Sequence, residues 1–160
     1  MLLEGEAEEE PEAERQRQAH GQGGRAIHHI TLPSVPNRGE EEAMLRRIEI
    51  ENGRLCNAVV HGNTVYLAGQ IPEDATADAK AQTASVLSQI DALLAEAGSD
   101  KRHILSALVV LADIRDAGAM NAAWDAWVDP AHPPARATIE GKLVNPDWKV
   151  EIIVTAALKG

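Results

Sequence analysis

TVYLAGQIPEDATADAKAQTASVLSQIDALLAEAG, residues 64–98, changes its hydrophobic period partway along, and that change decides the fold. Up to Gln70 the run is β-rich and alternating, as a half-buried strand requires, and Pro72 closes it. Beyond Asp74 the small and apolar positions recur at three and four: Ala79, Thr83, Val86, Ile90, Leu93, Leu94 and Ala97. Asp74 and Thr76 offer N-caps and Gly98 a C-terminal stop, so the spacing predicts one long amphipathic helix over 74–97.

Working outward, residues 46–51 (RRIEIE) alternate and read as a strand. Residues 55–60 follow, and His61-Gly62-Asn63 turns that run into residues 64–70, a hairpin signal. Downstream, residues 103–112 (HILSALVVLA) are nearly continuous in apolar character, which predicts a strand buried on both faces. Residues 116–128 give a shorter helix, with Asp116 as its cap and Met120, Trp124 and Trp127 on one stripe. A Pro/His loop (DPAHPP) leads to an alternating run over 135–143, and Asn145-Pro146-Asp147 turns the chain into another over 148–157. Strands sharing one sheet with two helices on one face make an α+β two-layer domain. Val150, Ile152 and Val154 fall on one face of the last strand, Ile153 and Ala157 on the other. With both faces partly apolar, association through the open face of the sheet is expected.

The chain has 160 residues and a formal charge of −10, and the charge is uneven. Residues 1–43 hold ten Glu, four Arg and only seven residues from Leu, Ile, Val and Met; that composition predicts a largely disordered acidic extension. Its one apolar patch, residues 26–35, could add an edge strand, and Met44 could be the natural start of the chain. The domain proper spans 44–160, with 15 acids against 11 bases. Such a balance argues against nonspecific binding to nucleic acid or to an anionic membrane surface. Lone Cys56 cannot form an internal disulfide, and no apolar run reaches bilayer length, so a cytoplasmic, reduced protein is expected.

Two residues stand out chemically. Arg136 heads a strand beside Pro133-Pro134, on one face with Thr138, Glu140 and Lys142, and its fork can grip a carboxylate bidentately. Glu151 lies inside the apolar run KVEIIVTAA, where a carboxylate is either a paired strand residue or a group held for proton work. If their strands were adjacent, the two side chains could converge on one pocket. The competing reading for Arg136 is an exposed edge charge. His20, His28 and His29 match no metal-ligand spacing; His61, His103 and His132 read as ordinary boundary residues, and Cys56 as a small core residue. Trp124 and Trp127 read as helix packing.

Tyr66-Leu67-Ala68-Gly69-Gln70-Ile71-Pro72, Gln82-Thr83 through Ala97-Gly98, Met120-Asn121-Ala122, Pro134-Ala135-Arg136-Ala137-Thr138 and Val150-Glu151-Ile152 together carry a resemblance. Over residues 55–157 the chain resembles the reactive intermediate deaminase family (RidA, also called YjgF), formerly described as translation initiation inhibitors. The resemblance implies a chorismate-mutase-like fold and a homotrimer whose sheets form a central β-barrel, with active sites in the clefts between subunits. It also implies hydrolysis of enamines and imines, such as 2-aminoacrylate and 2-iminopropionate, to 2-oxo acids and ammonia without metal or organic cofactor. In this implied site Arg136 binds the substrate carboxylate and Glu151 positions or activates water. Gly69, Thr138 and Leu55 line the pocket, with Asn121 nearby.

The sequence also departs from the family pattern. Leu55 stands where many members carry tyrosine, Ala68 where they carry a small hydroxyl residue, and Thr138 where cysteine is frequent. The loop before Pro134 is shorter. These changes imply a shift toward larger or more apolar imino acids. Competing functions are a non-catalytic small-carboxylate binder, a chaperone-like trimer, and the ribonuclease or translation-inhibitor activity ascribed to some relatives. The last is disfavoured by the absence of a basic patch.

Overall fold

The computed structural model describes residues 45–160. The extension over 1–43, the strand suggested for 26–35, the start at Met44 and the histidines at 20, 28 and 29 lie outside the described residues.

Among the described residues, six strands and two α-helices form two layers. In chain order they are β1 (Leu45–Glu51), β2 (Leu55–His61), β3 (Thr64–Leu67), α1 (Ala79–Ala97), β4 (Ile104–Leu111), α2 (Ala117–Trp127), β5 (Ala135–Glu140) and β6 (Val150–Ala157). The sheet order is β1-β2-β3-β6-β4-β5, with β4 and β5 parallel and every other neighbouring pair antiparallel. The last strand of the chain is therefore inserted at the centre, between β3 and β4. This is the α+β two-layer architecture the periodicity predicts.

Two tight turns start the sheet. Asn52 (φ 51°) and Gly53 (φ 66°) join β1 to β2, and Arg54 N–H donates to the Glu51 carbonyl at 2.9 Å. Left-handed angles at both central residues match the twist of the flanking strands, which is why Asn-Gly suits this turn. Gly62 (φ 57°) and Asn63 make the second hairpin, with His61 opposite Thr64.

Helix α1 buries every position its period selects, Ala79 to Ala97 included. It starts later than 74, however. Asp78 is the N-cap and accepts from Ala81 N–H at 2.8 Å. Asp74 instead accepts from the backbone N–H and hydroxyl of Thr76, so both predicted caps are spent in a local turn. Asp116 makes no capping bond to α2; Asp113 accepts from Arg115 N–H in the single 3-10 turn just before it. Strand β3 stops at Leu67, with Gln70 returning as an isolated bridge to Ile152. Strand β5 ends at Glu140 and β6 begins at Val150, both shorter than their alternating runs.

The core lies between the helices and one sheet face, with Val65, Val86, Ile90, Leu94, Val109, Met120 and Ile152 each fully buried. Strand β4 corrects its expected burial. Ala107, Val109 and Leu111 face the helices, while Leu105 and Leu108 are exposed on a strand read as covered on both sides. Its unbroken apolar run thus serves two different surfaces. On the open face, Leu108 pairs across the strands with Ile153 and Ala137, and Ile139 and Tyr66 are also exposed.

One buried polar side chain ties the layers together. Gln82 donates from Nε2 to the carbonyls of Ala75, Ala77 and Asp147 at 3.1–3.2 Å, and its Oε1 accepts from Lys149 N–H at 2.7 Å. Gln82→Glu should lower stability by about 3 kcal/mol or more, since at a buried side chain three carbonyls would face a carboxylate instead of a donor. Urea melts at matched protein concentration measure this.

Candidate active site

Arg136 is the second residue of β5, an edge strand held only by β4. It pairs with Ala107, a buried residue on the helix side, so its side chain leaves the sheet toward α2. There its guanidinium carbon lies 4.7 Å from the centroid of the Trp124 ring. Its NH2 group donates to Asn121 Oδ1 at 2.8 Å, and the NH1 group approaches Met120 Sδ at 3.8 Å. All three partners sit on one face of α2 because 120, 121 and 124 follow helical spacing. Among the described residues no carboxylate lies within ion-pair distance of Arg136. A guanidinium held by a ring face and one neutral acceptor keeps N–H donors for an anion.

Glu151 is the second residue of β6, between buried Val150 and Ile152, and so projects from the open face. It lies against Gly69: a Cβ built on that glycine would fall 1.9 Å from Glu151 Oε1 and 2.8 Å from its carboxyl carbon. Gly69 is the one residue type that lets the carboxylate rest there. A cavity of about 420 Å³ opens beside the pair, lined also by Leu55, Ala68, Asn57 and Glu51. Asn57 Nδ2 donates to Glu49 and Glu51, at 2.8 and 3.0 Å, across the β1–β2 pair. A larger cavity of about 570 Å³ lies between α1 and α2 beside Trp127 and Lys101, and none of the predicted site residues lines it.

The condition set for Arg136 and Glu151 to converge, adjacent strands, is not met within one chain. Strand β4 separates them: Arg136 registers with Ala107 and Val154, and Glu151 with Val110 and Ile139. The offset is roughly 10 Å along the strands and roughly 10 Å across them. The two side chains also leave opposite faces of the sheet. The predicted residues therefore fall into two groups. Gly69, Leu55 and Glu151 share the open-face cavity; Arg136, Asn121 and Thr138 gather on the helix side of the β5 edge. Thr138 Oγ1 is covered and has no hydrogen-bond partner, so its hydroxyl does not face solvent. Asn121 acts on Arg136 directly. Trp124, read as packing alone, also contacts Arg136; its spacing from Asn121 on α2 was the available signal.

Two of the three histidines at element boundaries have local partners. His103 pairs with Asp100 at 2.7 Å and His132 with Asp129 at 3.1 Å. The His103 hydrogen bond holds the Asp100 carboxyl below its usual value, and a backbone N–H from Ala131 does the same at Asp129. Among the described residues no cluster of three His, Cys, Asp or Glu is placed to hold a metal ion, and no helix is long and apolar enough to cross a membrane.

A small α+β domain of this strand order, with Arg136 on its edge strand and Glu151 seated on Gly69, is of one recognisable class. Residues 48–158 match the family model described as Endoribonuclease L-PSP, and the chain belongs to that family, which also carries the names YjgF and RutC. The RutC family protein YoaB of Escherichia coli is 50% identical over 112 residues, covering 70% of this chain and 96% of the relative. A RutC family protein of Haemophilus ducreyi is 48% identical over 115 residues, covering 72% and 97%. Among solved structures, a YjgF-family protein of Neisseria meningitidis superposes with a TM-score of 0.70 at 43% identity, covering 72% of this chain and 96% of that one. A putative translation initiation inhibitor of Salmonella typhimurium gives 0.66 at 45%, covering 71% and 97%.

Proposed function

We propose that this chain hydrolyses reactive 2-imino acids and their enamine tautomers to 2-oxo acids and ammonia. The observation carrying this reading is Arg136, braced on Trp124 and Asn121 with its remaining donors uncommitted to any acid. Such a group orients a 2-imino carboxylate, and orientation is where most of the gain lies for an electrophile that is already reactive. Glu151 takes a proton from water as its oxygen adds to the carbon of the protonated imine, and the C=N electron pair moves to nitrogen to leave a neutral carbinolamine. Protonated Glu151 returns that proton to the amine nitrogen. The C–N bond then breaks as the hydroxyl becomes the carbonyl, its proton passing to Glu151 and on to the released ammonia. No cofactor is required for this balance.

Because Arg136 and Glu151 leave opposite faces of one sheet, the working site takes one from each of two copies. A homotrimer closed on the open faces, with Leu108 and Ile153 inside, would supply three such clefts. Wild-type protein should then run as a trimer in light-scattering chromatography, and Leu108→Asp should dissociate it by burying an unpaired charge. A monomeric wild type would remove this part of the proposal.

The direct test generates imino acids in situ with an amino-acid oxidase and follows ammonia and 2-oxo acid release. Release no faster than spontaneous hydrolysis would refute the deaminase reading. The particular imino acid, its side-chain preference and a cytoplasmic setting belong to this proposal too. RNA cleavage, named in the family description, is disfavoured by the 15 acids against 11 bases over residues 44–160.

A further inference from the structure

We infer that Trp124 is a positioning residue for Arg136, its indole face setting the plane in which the guanidinium meets a carboxylate. This rests on the reading of Arg136 as the carboxylate receptor. Guanidinium N–H donors lie in the plane of the group, so a contact made through its face consumes none of them. The Arg136 guanidinium carbon lies over the Trp124 ring, 4.7 Å from its centroid, within the range where ring and cation attract. Asn121 takes one donor at 2.8 Å and fixes rotation within the plane. Together they leave donors along the rest of the guanidinium edge.

The ring is itself held from behind. Trp124 is 5% exposed and packs edge-to-face on Trp127, with centroids 5.3 Å apart and planes at 63°. Trp127 Nε1 donates to Asp91 Oδ2 at 2.8 Å, so the pair is tied to α1 as well as α2. An arginine on an exposed edge strand would otherwise sample many rotamers and lose that freedom each time a substrate bound. A fixed ring face removes much of that loss beforehand. The effect belongs to binding, and the proton steps at Glu151 do not depend on it.

Kinetics of Trp124→Leu and Trp124→Phe, beside circular dichroism and thermal melts, test this. Trp124→Leu should raise KM for the imino acid about tenfold while kcat stays within about threefold, because the lost contact acts on carboxylate binding. Trp124→Phe keeps a ring face and should hold KM within about threefold of wild type. Pyruvate, as product carboxylate, should change the emission that Trp124 contributes, taken as wild type minus Trp124→Phe, and Arg136→Ala should abolish that change. A folded Trp124→Leu with wild-type KM overturns the inference. So does an equal fall in kcat for both variants together with a lowered melt, which marks a core residue only. If wild type lacks turnover yet pyruvate still moves the Trp124 emission through Arg136, the deaminase reading fails and the positioning role stands. If pyruvate moves nothing, both fall.

Discussion

Arg136→Ala should lower kcat/KM on 2-iminopropionate by about a thousandfold or more while leaving fold and assembly intact. The side chain is exposed at a sheet edge, and its contacts are one amide oxygen, one thioether and one ring face. Removing it leaves no buried ion unpaired, so the melt should move little. What disappears is the cation that β5 offers to a carboxylate. Free imino acid then meets Glu151 and water in no fixed orientation. Arg136→Lys should recover little, because an ammonium cannot present two parallel donors or stack flat on Trp124. The comparison separates charge from geometry: a lysine variant near wild type would mean that charge alone suffices. Wild-type rates in Arg136→Ala would end the mechanism. Product release under oxidase-generated imino acid measures all three proteins.

Arg136 was visible in the sequence as a residue type at a strand head, but its partners were not. Periodicity reports which residues share a face of one element, and on that scale α1, α2 and the faces of β5 and β6 are legible. Strand order is a different kind of information. Inserting β6 between β3 and β4 is decided by pairing between segments far apart in the chain, and no local pattern encodes it. That insertion puts β4 between Arg136 and Glu151. The same limit explains β4, whose continuous apolar run reads as two buried faces although only one meets the helices. At the start of α1 the failure is local: Asp74, Thr76 and Asp78 are all competent caps. Asp78 holds the place, and Asp74 closes on Thr76 instead. The His61-Gly62-Asn63 turn, by contrast, was a signal lying between two strand readings, and it does close the β2–β3 hairpin.

Glu151→Gln should lower kcat by about a hundredfold to ten-thousandfold with KM close to wild type, since glutamine keeps the shape but cannot carry the proton. Gly69→Ala approaches the same atom from the other side. The new Cβ would lie 1.9 Å from Oε1 and 3.1 Å from Cγ of Glu151, so the whole side chain must swing off the backbone. Here the carboxylate remains, but it no longer sits where water is delivered. The expected pattern is a fall in kcat smaller than that of Glu151→Gln, with KM close to wild type in both. Gly69 is not left-handed in this structure, so alanine adds no backbone strain, and a flexible side chain absorbs the clash. Folding should therefore survive. If both variants kept wild-type kcat, Glu151 would be only a half-buried strand residue and water would be activated elsewhere. If only Gly69→Ala did, the carboxylate would need no fixed seat, and the close approach of Gly69 would be incidental to the proton step.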